Sequence, residues 1–104
     1  MGNENEPRMT VASLKVLKAF LDAKRYRAAG ADLIKATGLP SGTIYPALSR
    51  FEDAGWLRGE WEDVDPSEAG RPRRRFYQLT GAGQRVAHER LSGFAIPGAK
   101  WLPS

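Results

Sequence analysis

The residues best suited to binding chemistry in this sequence are four arginines crowded into one proline-containing stretch, Gly70-Arg71-Pro72-Arg73-Arg74-Arg75. They make up a quarter of the 16 Lys and Arg residues of the chain. A guanidinium group keeps its charge and presents several N–H donors, so such a cluster suits phosphates. Arginines on a narrow loop also suit the minor groove of duplex DNA. Because crowded like charges repel one another, we favour a binding role over solvent-exposed decoration.

A second group lies on a predicted helix that follows Pro40. Its apolar residues Ile44, Leu48 and Phe51 share one face, which predicts that the opposite face is exposed. That face carries polar and small groups that can donate to phosphates, read base edges or pack on thymine methyl groups: Thr43, Tyr45, Pro46, Ser49 and Arg50. A solvated helix face is the alternative interpretation.

The first residues of the same helix have small side chains. Ser41 is its predicted N-cap, and Gly42 has no side chain, so backbone amides and the positive end of the helix dipole can approach a phosphate closely. Pro46 removes one backbone donor near the helix start, where the missing bond would go to the carbonyl of Gly42. A purely structural role for Pro46 in a tight turn is equally consistent with the sequence.

Catalytic chemistry has no support in the sequence. Four acidic residues accompany the arginines and could in principle bind a hard cation, but their spacing matches no known loop motif, which favours a solubilising role: Glu62, Asp63, Asp65 and Glu68. His88 is the single histidine, has no partner at catalytic spacing, and is predicted to lie at the surface. We therefore expect no enzymatic activity, no cofactor and no metal site.

Composition sets wider bounds. At 104 residues the chain fits one compact domain. Its formal charge of +4 and pI of about 9.8 are compatible with a polyanionic partner. The chain has no cysteine, so we expect the reducing cytoplasm. We also expect no membrane association, because no apolar run approaches the roughly 20 residues that span a bilayer.

The elements that must position these residues can be predicted from periodicity. Residues 1–9 should form a flexible tail, and 92–104 a Gly- and Pro-broken C-terminal tail. Between them, 10–91 predict helices over 11–23 and 28–37, a third beginning at Ser41 and stopping at Gly55, and a last one from Thr80 to Leu91. Alternating residues predict strands over 57–61 and 75–79, joined by a long hairpin tip over 62–74. This order, mainly α with a small antiparallel β-hairpin, is that of a winged helix-turn-helix, which reads double-stranded DNA.

The first helix also suggests a homodimer. Its apolar arc is wider than the second and third helices can cover, and the C-terminal tail adds large apolar groups. A symmetric dimer would bury both surfaces and would place two reading helices on a palindromic site, with half-sites about 10 base pairs apart or a multiple of that. The alternative is a tail that folds back on its own subunit. The predicted interface residues are Leu14, Leu17, Phe20, Leu21, Phe94 and Trp101.

Residues 14–91 resemble the PadR-type transcriptional regulators. The resemblance is carried by Gly42-Thr43-Ile44-Tyr45-Pro46-Ala47-Leu48, by Gly55, and by Tyr77-Gln78-Leu79-Thr80 with Gly83. It implies cytoplasmic repressors that bind palindromic operators as dimers and often release them on binding a small aromatic or hydrophobic effector. It also implies that Thr43, Tyr45 and Pro46 contact DNA and that residues 71–74 form the wing.

The resemblance is weaker at the C-terminal end. Members usually continue into one or more long helices that build the dimer, whereas residues 92–104 predict a short form with a truncated region. Two other classes of function stay open. One is a winged-helix module that binds proteins, such as an antirepressor or adaptor. The other is a ligand-sensing protein in which DNA affinity is secondary, suggested by Trp56, Trp61 and Trp101.

Overall fold

The computed structural model describes residue 7 and residues 9–92, and its elements follow the winged helix-turn-helix order. The helices are α1 (Val11–Asp22), α2 (Gly30–Thr37), α3 (Ser41–Asp53), α4 (Pro66–Ala69) and α5 (Gly81–Ser92). The strands are β1 (Arg27–Ala29), β2 (Leu57–Trp61) and β3 (Arg75–Leu79). They form one antiparallel sheet in the order β1-β3-β2, and a short turn over Lys24–Tyr26 leads from α1 into it. The predicted fold class is confirmed.

Side-chain caps and glycines set most helix boundaries, as the sequence predicts. The Thr10 hydroxyl accepts the Ser13 N–H at 3.0 Å, and the Thr80 hydroxyl accepts the Gly83 N–H at 3.0 Å. Gly38 and Gly55 end α2 and α3 with φ of 74° and 81°, a region that side chains with a Cβ rarely adopt. The predicted cap at Ser41 is wrong. Ser41 is the first residue of α3, and the N-cap is Pro40, which has no side-chain hydrogen bond.

The start of α2 also differs from the prediction of a helix from residue 28. Ala28 and Ala29 belong to β1, where they pair with Tyr77 and Phe76 of β3. The Asp32 carboxylate accepts the Ala29 N–H at 3.0 Å, so the helix begins after Ala29. Three residues are too short for an alternating pattern, and the pairing with β3 overrides their helical propensity.

The core lies between α1, the helices α2, α3 and α5, and the inner face of the sheet. Leu14, Leu17 and Phe20 of α1 are 2%, 0% and 0% exposed. These three predicted interface residues are therefore covered within the single chain. The reason is α5, which packs along α1 and contributes Ala87 and Leu91 to the same core. Leu21 is half-buried.

Within the predicted N-terminal tail, Pro7 is buried and Met9 packs on the core. The predicted contacts of Phe94 and Trp101 lie outside the described residues. In the part of the chain that the structure describes, no helix is long and apolar enough to cross a membrane.

Candidate nucleic-acid interface

The outward face of α3 is exposed as the helical pattern predicts. Ile44 and Leu48 are 0% exposed and fix the rotation of the helix about its axis. Opposite them, Tyr45 is 48% exposed. Thr43 is half-buried, and the remaining predicted contact residues are exposed: Ser41, Gly42, Pro46, Ser49 and Arg50.

The N-terminus of α3 presents backbone with little side-chain cover. The amides of Thr43 and Ile44 both donate to the carbonyl of Pro40, at 2.9 and 3.0 Å. A Cβ built on Gly42 would meet nothing within 4 Å, so the space beside this residue is open. A group placed beside Gly42 would therefore meet no protein atom there.

Tyr45 is held by a glycine that the sequence analysis did not single out. A Cβ on Gly30, the first residue of α2, would lie 2.5 Å from both Cε1 and Oη of Tyr45. The phenol end therefore lies against the backbone of α2, while almost half of the residue stays exposed. The contact fixes the direction in which Tyr45 leaves α3.

The hairpin tip, residues 62–74, contains an ion pair between Glu62 and Arg71. This whole segment is called the wing. The Arg71 guanidinium donates to both carboxylate oxygens of Glu62, at 2.6 and 2.9 Å. The backbone N–H of Arg74 donates to Oε1 of Glu62 at 3.2 Å, and the backbone N–H of Glu62 donates to the Arg74 carbonyl at 2.8 Å. The Arg71 hydrogen bond is the main reason that the pKa of Glu62 is lowered from 4.5 to about 2. Both terminal nitrogens of Arg71 thus make hydrogen bonds within the hairpin tip.

The sequence predicts a long hairpin tip over residues 62–74. The structure shows in addition a short helix, α4, within this segment. The Asp65 carboxylate accepts the Ser67 N–H at 2.9 Å, and Gly70 ends the helix with φ of 71°. Nε of Arg73 donates to the carbonyl of Val64 at 2.9 Å, which leaves the terminal nitrogens of this exposed side chain available. Arg74 is exposed and makes no ion pair with any residue in 9–92.

Arg75 joins the wing to α3. Its guanidinium lies 3.3 Å from Glu52 of α3 and stands 5.1 and 5.8 Å from the ring centroids of Trp61 and Tyr77. Gly59 makes room for this arrangement, because a Cβ there would lie 2.8 Å from the Arg75 guanidinium carbon and from the Glu52 carboxylate. Arg75 therefore ties strand β3 to helix α3 through Glu52 and stacks on two aromatic rings.

Beside these arginines the wing carries an open groove of about 600 Å³, lined by Trp61, Pro66, Pro72 and Arg73. Trp61 is 60% exposed. In residues 9–92 no cluster of His, Cys, Asp and Glu could hold a metal ion, and His88 is exposed. The hairpin tip thus presents exposed guanidinium groups beside an exposed indole ring.

A family model decides the class of protein. Residues 27–89, more than half of the chain, match the Transcriptional regulator PadR-like family. The chain belongs to this family. PadR-like proteins are DNA-binding transcriptional regulators and not enzymes, in agreement with the sequence-based prediction.

One solved PadR-family structure agrees with this assignment, and two further regulators share the fold. A PadR-family regulator from Eggerthella lenta is 26% identical with a TM-score of 0.61, covering 81% of this chain and 70% of that one. A MarR-family regulator from Streptomyces coelicolor, in complex with DNA, is 22% identical with a TM-score of 0.69, covering 86% and 52%. BpsR of Bordetella bronchiseptica, whose DNA binding is regulated by 6-hydroxynicotinic acid, is 21% identical with a TM-score of 0.67, covering 81% and 54%.

The chain spans about half the length of the last two regulators, and their likeness concerns the winged-helix fold alone. No curated protein sequence matches the chain. Within this PadR-like domain, sequence reasoning gave no contact to Gly30 or Glu52 and gave Glu62 only a solubilising role, whereas these residues touch Tyr45, Arg75 and Arg71. The only signal for Glu62 was its place on a loop rich in both charges.

Proposed function

We propose that this PadR-like protein is a sequence-specific double-stranded DNA-binding repressor whose α3 enters the major groove. The observation that carries the proposal is the exposed face of α3, where Tyr45, Ser49 and Arg50 point away from a fully buried row. Arg50 can donate two hydrogen bonds to a guanine edge, and Tyr45 and Ser49 can donate to phosphates or bases. Ser41, Gly42, Thr43 and Pro46 complete the contact surface at the helix start.

The wing is proposed to contact the adjacent minor groove through Arg73 and Arg74. Both side chains are exposed, and neither is paired with a carboxylate in residues 9–92. A positively charged, proline-bearing loop suits the negative potential of a narrow minor groove. The Arg75–Glu52 ion pair supports this geometry, because it ties β3 to the helix proposed to occupy the neighbouring groove.

The protein is further proposed to act in the cytoplasm as a homodimer on a palindromic operator, with a small aromatic molecule as a candidate effector. Two α3 helices related by a two-fold axis would meet successive major grooves, with half-sites about 10 base pairs apart or a multiple of that. The ligand regulation of BpsR supports testing such molecules on this chain.

Selection of bound sequences from a random DNA pool tests the proposal directly. We expect an enriched palindrome, together with binding to random duplex that weakens steeply as salt rises. A protein-interaction module would give neither enrichment nor a salt-dependent affinity for duplex DNA. Repression is tested by placing the enriched site over a reporter promoter, where the intact protein should lower expression.

A further inference from the structure

Glu62 occupies an unusual place for an acid in a proposed DNA-binding wing. It lies next to the positive tip, where a carboxylate should repel the DNA backbone. Its side chain is nevertheless only 17% exposed, and both of its oxygens accept hydrogen bonds from the wing itself. An acid kept only for solubility would point into water.

The bonds made by Glu62 join the two ends of the wing loop. Its backbone N–H donates to the carbonyl of Arg74, and its carboxylate accepts the N–H of the same residue. The bidentate bond to Arg71 then holds the turn that precedes Pro72. Glu62 thus holds the backbone of Arg74 through one backbone bond and one carboxylate bond, and it holds Arg71 through its carboxylate.

The consequences differ among the three arginines of the tip. Arg71 forms an ion pair with Glu62 through two hydrogen bonds and donates a further bond to the Pro72 carbonyl at 3.3 Å. Arg74 is fixed at its backbone, but its guanidinium is exposed. Arg73 is steadied by the Val64 carbonyl, which lies in the same loop. In the tip, Arg71 is therefore paired within the loop, whereas the guanidinium groups of Arg73 and Arg74 face solvent.

We propose that Glu62 and Arg71 are positioning residues that hold Arg73 and Arg74 in the orientation that meets the DNA backbone. The proposal rests on the DNA-binding function proposed above and assigns Arg71 a structural role within it. A wing already ordered before binding loses less conformational entropy when it docks, so the acidic residue strengthens DNA binding despite its charge.

Glu68 provides the matched control. It lies on α4 in the same wing, is exposed, and has no ion pair within residues 9–92. Glu62→Gln and Glu68→Gln remove the same charge from the same loop, but only the first breaks the bidentate pair. Arg71→Lys keeps its positive charge and loses the paired geometry.

The experiment measures the affinity of the full chain for a random-sequence duplex at one fixed salt concentration. We expect Glu62→Gln and Arg71→Lys each to weaken binding about fivefold, as when long side chains must be ordered during docking. The double variant should lose no more than either single variant, because both changes break one unit. Glu68→Gln should bind as well as the unmodified protein or better.

Other results would overturn the proposal. If Glu62→Gln binds DNA more tightly than the unmodified protein, Glu62 only repels DNA. If Arg71→Lys retains full affinity, Arg71 acts as a point charge. Hydrogen exchange in the free protein gives an independent readout, since Glu62→Gln should speed exchange of the Arg74 amide and Glu68→Gln should not. Equal exchange rates in both variants would also remove the proposed role.

The proposed DNA-binding role of the wing can fail separately. If Arg73→Ala with Arg74→Ala leaves the affinity unchanged, the wing does not contact DNA. The proposed wing contact and the proposed positioning role then both fail, whereas the proposed contact through α3 is not affected. If that pair weakens binding and Glu62→Gln does not, only the positioning role is lost.

Discussion

Tyr45 of α3 rests its phenol ring against the backbone of Gly30 in α2, where any larger residue would collide with the ring. The contact joins the two helices of the helix-turn-helix through a side chain that is also 48% exposed. One residue therefore serves both packing and the proposed reading surface, and its direction depends on the absence of a Cβ on the neighbouring helix.

The first prediction concerns the missing Cβ of Gly30. Gly30→Ala should move the Tyr45 ring outward, because the new Cβ would lie 2.5 Å from it. The ring is partly exposed and can rotate, so the free energy of unfolding should change by no more than about 1 kcal/mol. DNA affinity should fall by about 1 kcal/mol, since Tyr45 no longer starts in its binding direction.

Gly81→Ala is the control for this substitution. Gly81 is also the first residue of a helix, and its nearest contact for a new Cβ is Nη1 of Arg85 at 3.8 Å. Urea denaturation and DNA titration of both variants make the comparison. Equal DNA affinity for the two variants would mean that the position of Tyr45 against Gly30 does not matter for binding.

The second prediction concerns direct contacts by α3. Tyr45→Ala and Arg50→Ala should each weaken binding to the selected operator by on the order of 1 to 3 kcal/mol. The fold should survive both changes, because both residues are exposed. Tyr45→Phe keeps the ring against Gly30 and tests the hydroxyl alone. Arg85→Ala removes the same charge from α5 and should leave operator affinity unchanged. If the α3 variants bind like Arg85→Ala, α3 does not read the operator.

The third prediction concerns the charge contacts of the wing. Arg73→Ala and Arg74→Ala should each lower the slope of log affinity against log salt by about one unit, since each lost phosphate contact releases about one counterion fewer. Arg58 is exposed on β2 at the end of the hairpin opposite the tip, so Arg58→Ala is the matched control. If Arg73→Ala and Arg74→Ala leave the slope as unchanged as the control Arg58→Ala does, the wing is not part of the DNA interface.

The fourth prediction concerns acid. The Arg71 hydrogen bond lowers the pKa of Glu62 to about 2 in the folded wing, against 4.5 for the unperturbed carboxyl. A lowered folded pKa means that the pair stabilises the wing fully above about pH 4.5 and loses that contribution as the pH falls towards 2. Carbon-13 NMR of the Glu62 carboxyl should report this titration. In Arg71→Ala the pKa should rise towards 4.5, and an unchanged value would show that another group causes the shift.

Much of the fold could be predicted because local rules and tertiary packing agree over most of the chain. The apolar period of α3 and the glycines at 38 and 55 are signals that a single segment carries by itself. Strand β1 carries no such signal. Its three residues, Arg27–Ala29, become a strand only because β3 lies beside them. Arg25 and Tyr26, just before it, adopt φ of 58° and 56°, which their residue types do not predict.

The candidate site was predictable in its residue types and not in its pairings. Exposure of Tyr45 and Arg50 follows from helical period alone. Whether an arginine of the wing faces solvent or a carboxylate depends on how the loop folds, and Glu62 meets Arg71 only because α4 and Gly70 shape the intervening turn. Composition therefore indicated a uniform basic cluster, whereas the wing divides it into paired and exposed arginines.

The last prediction separates core from interface on α1 by comparing adjacent residues. Phe20 is 0% exposed inside the single chain, so Phe20→Ala should destabilise the fold by about 3 to 5 kcal/mol by leaving a cavity. Leu21 is half-buried, and Leu21→Ala should cost less in unfolding free energy. If α1 contributes to the proposed homodimer, the contribution must come from residues such as Leu21 and from Val11, which is 58% exposed. Sedimentation equilibrium of the full chain should then show a dimer that Leu21→Ala weakens while thermal unfolding stays cooperative. A dimer of unchanged strength in Leu21→Ala and Val11→Ala would place the interface elsewhere, and a monomer at tens of micromolar would remove the homodimer from the proposal.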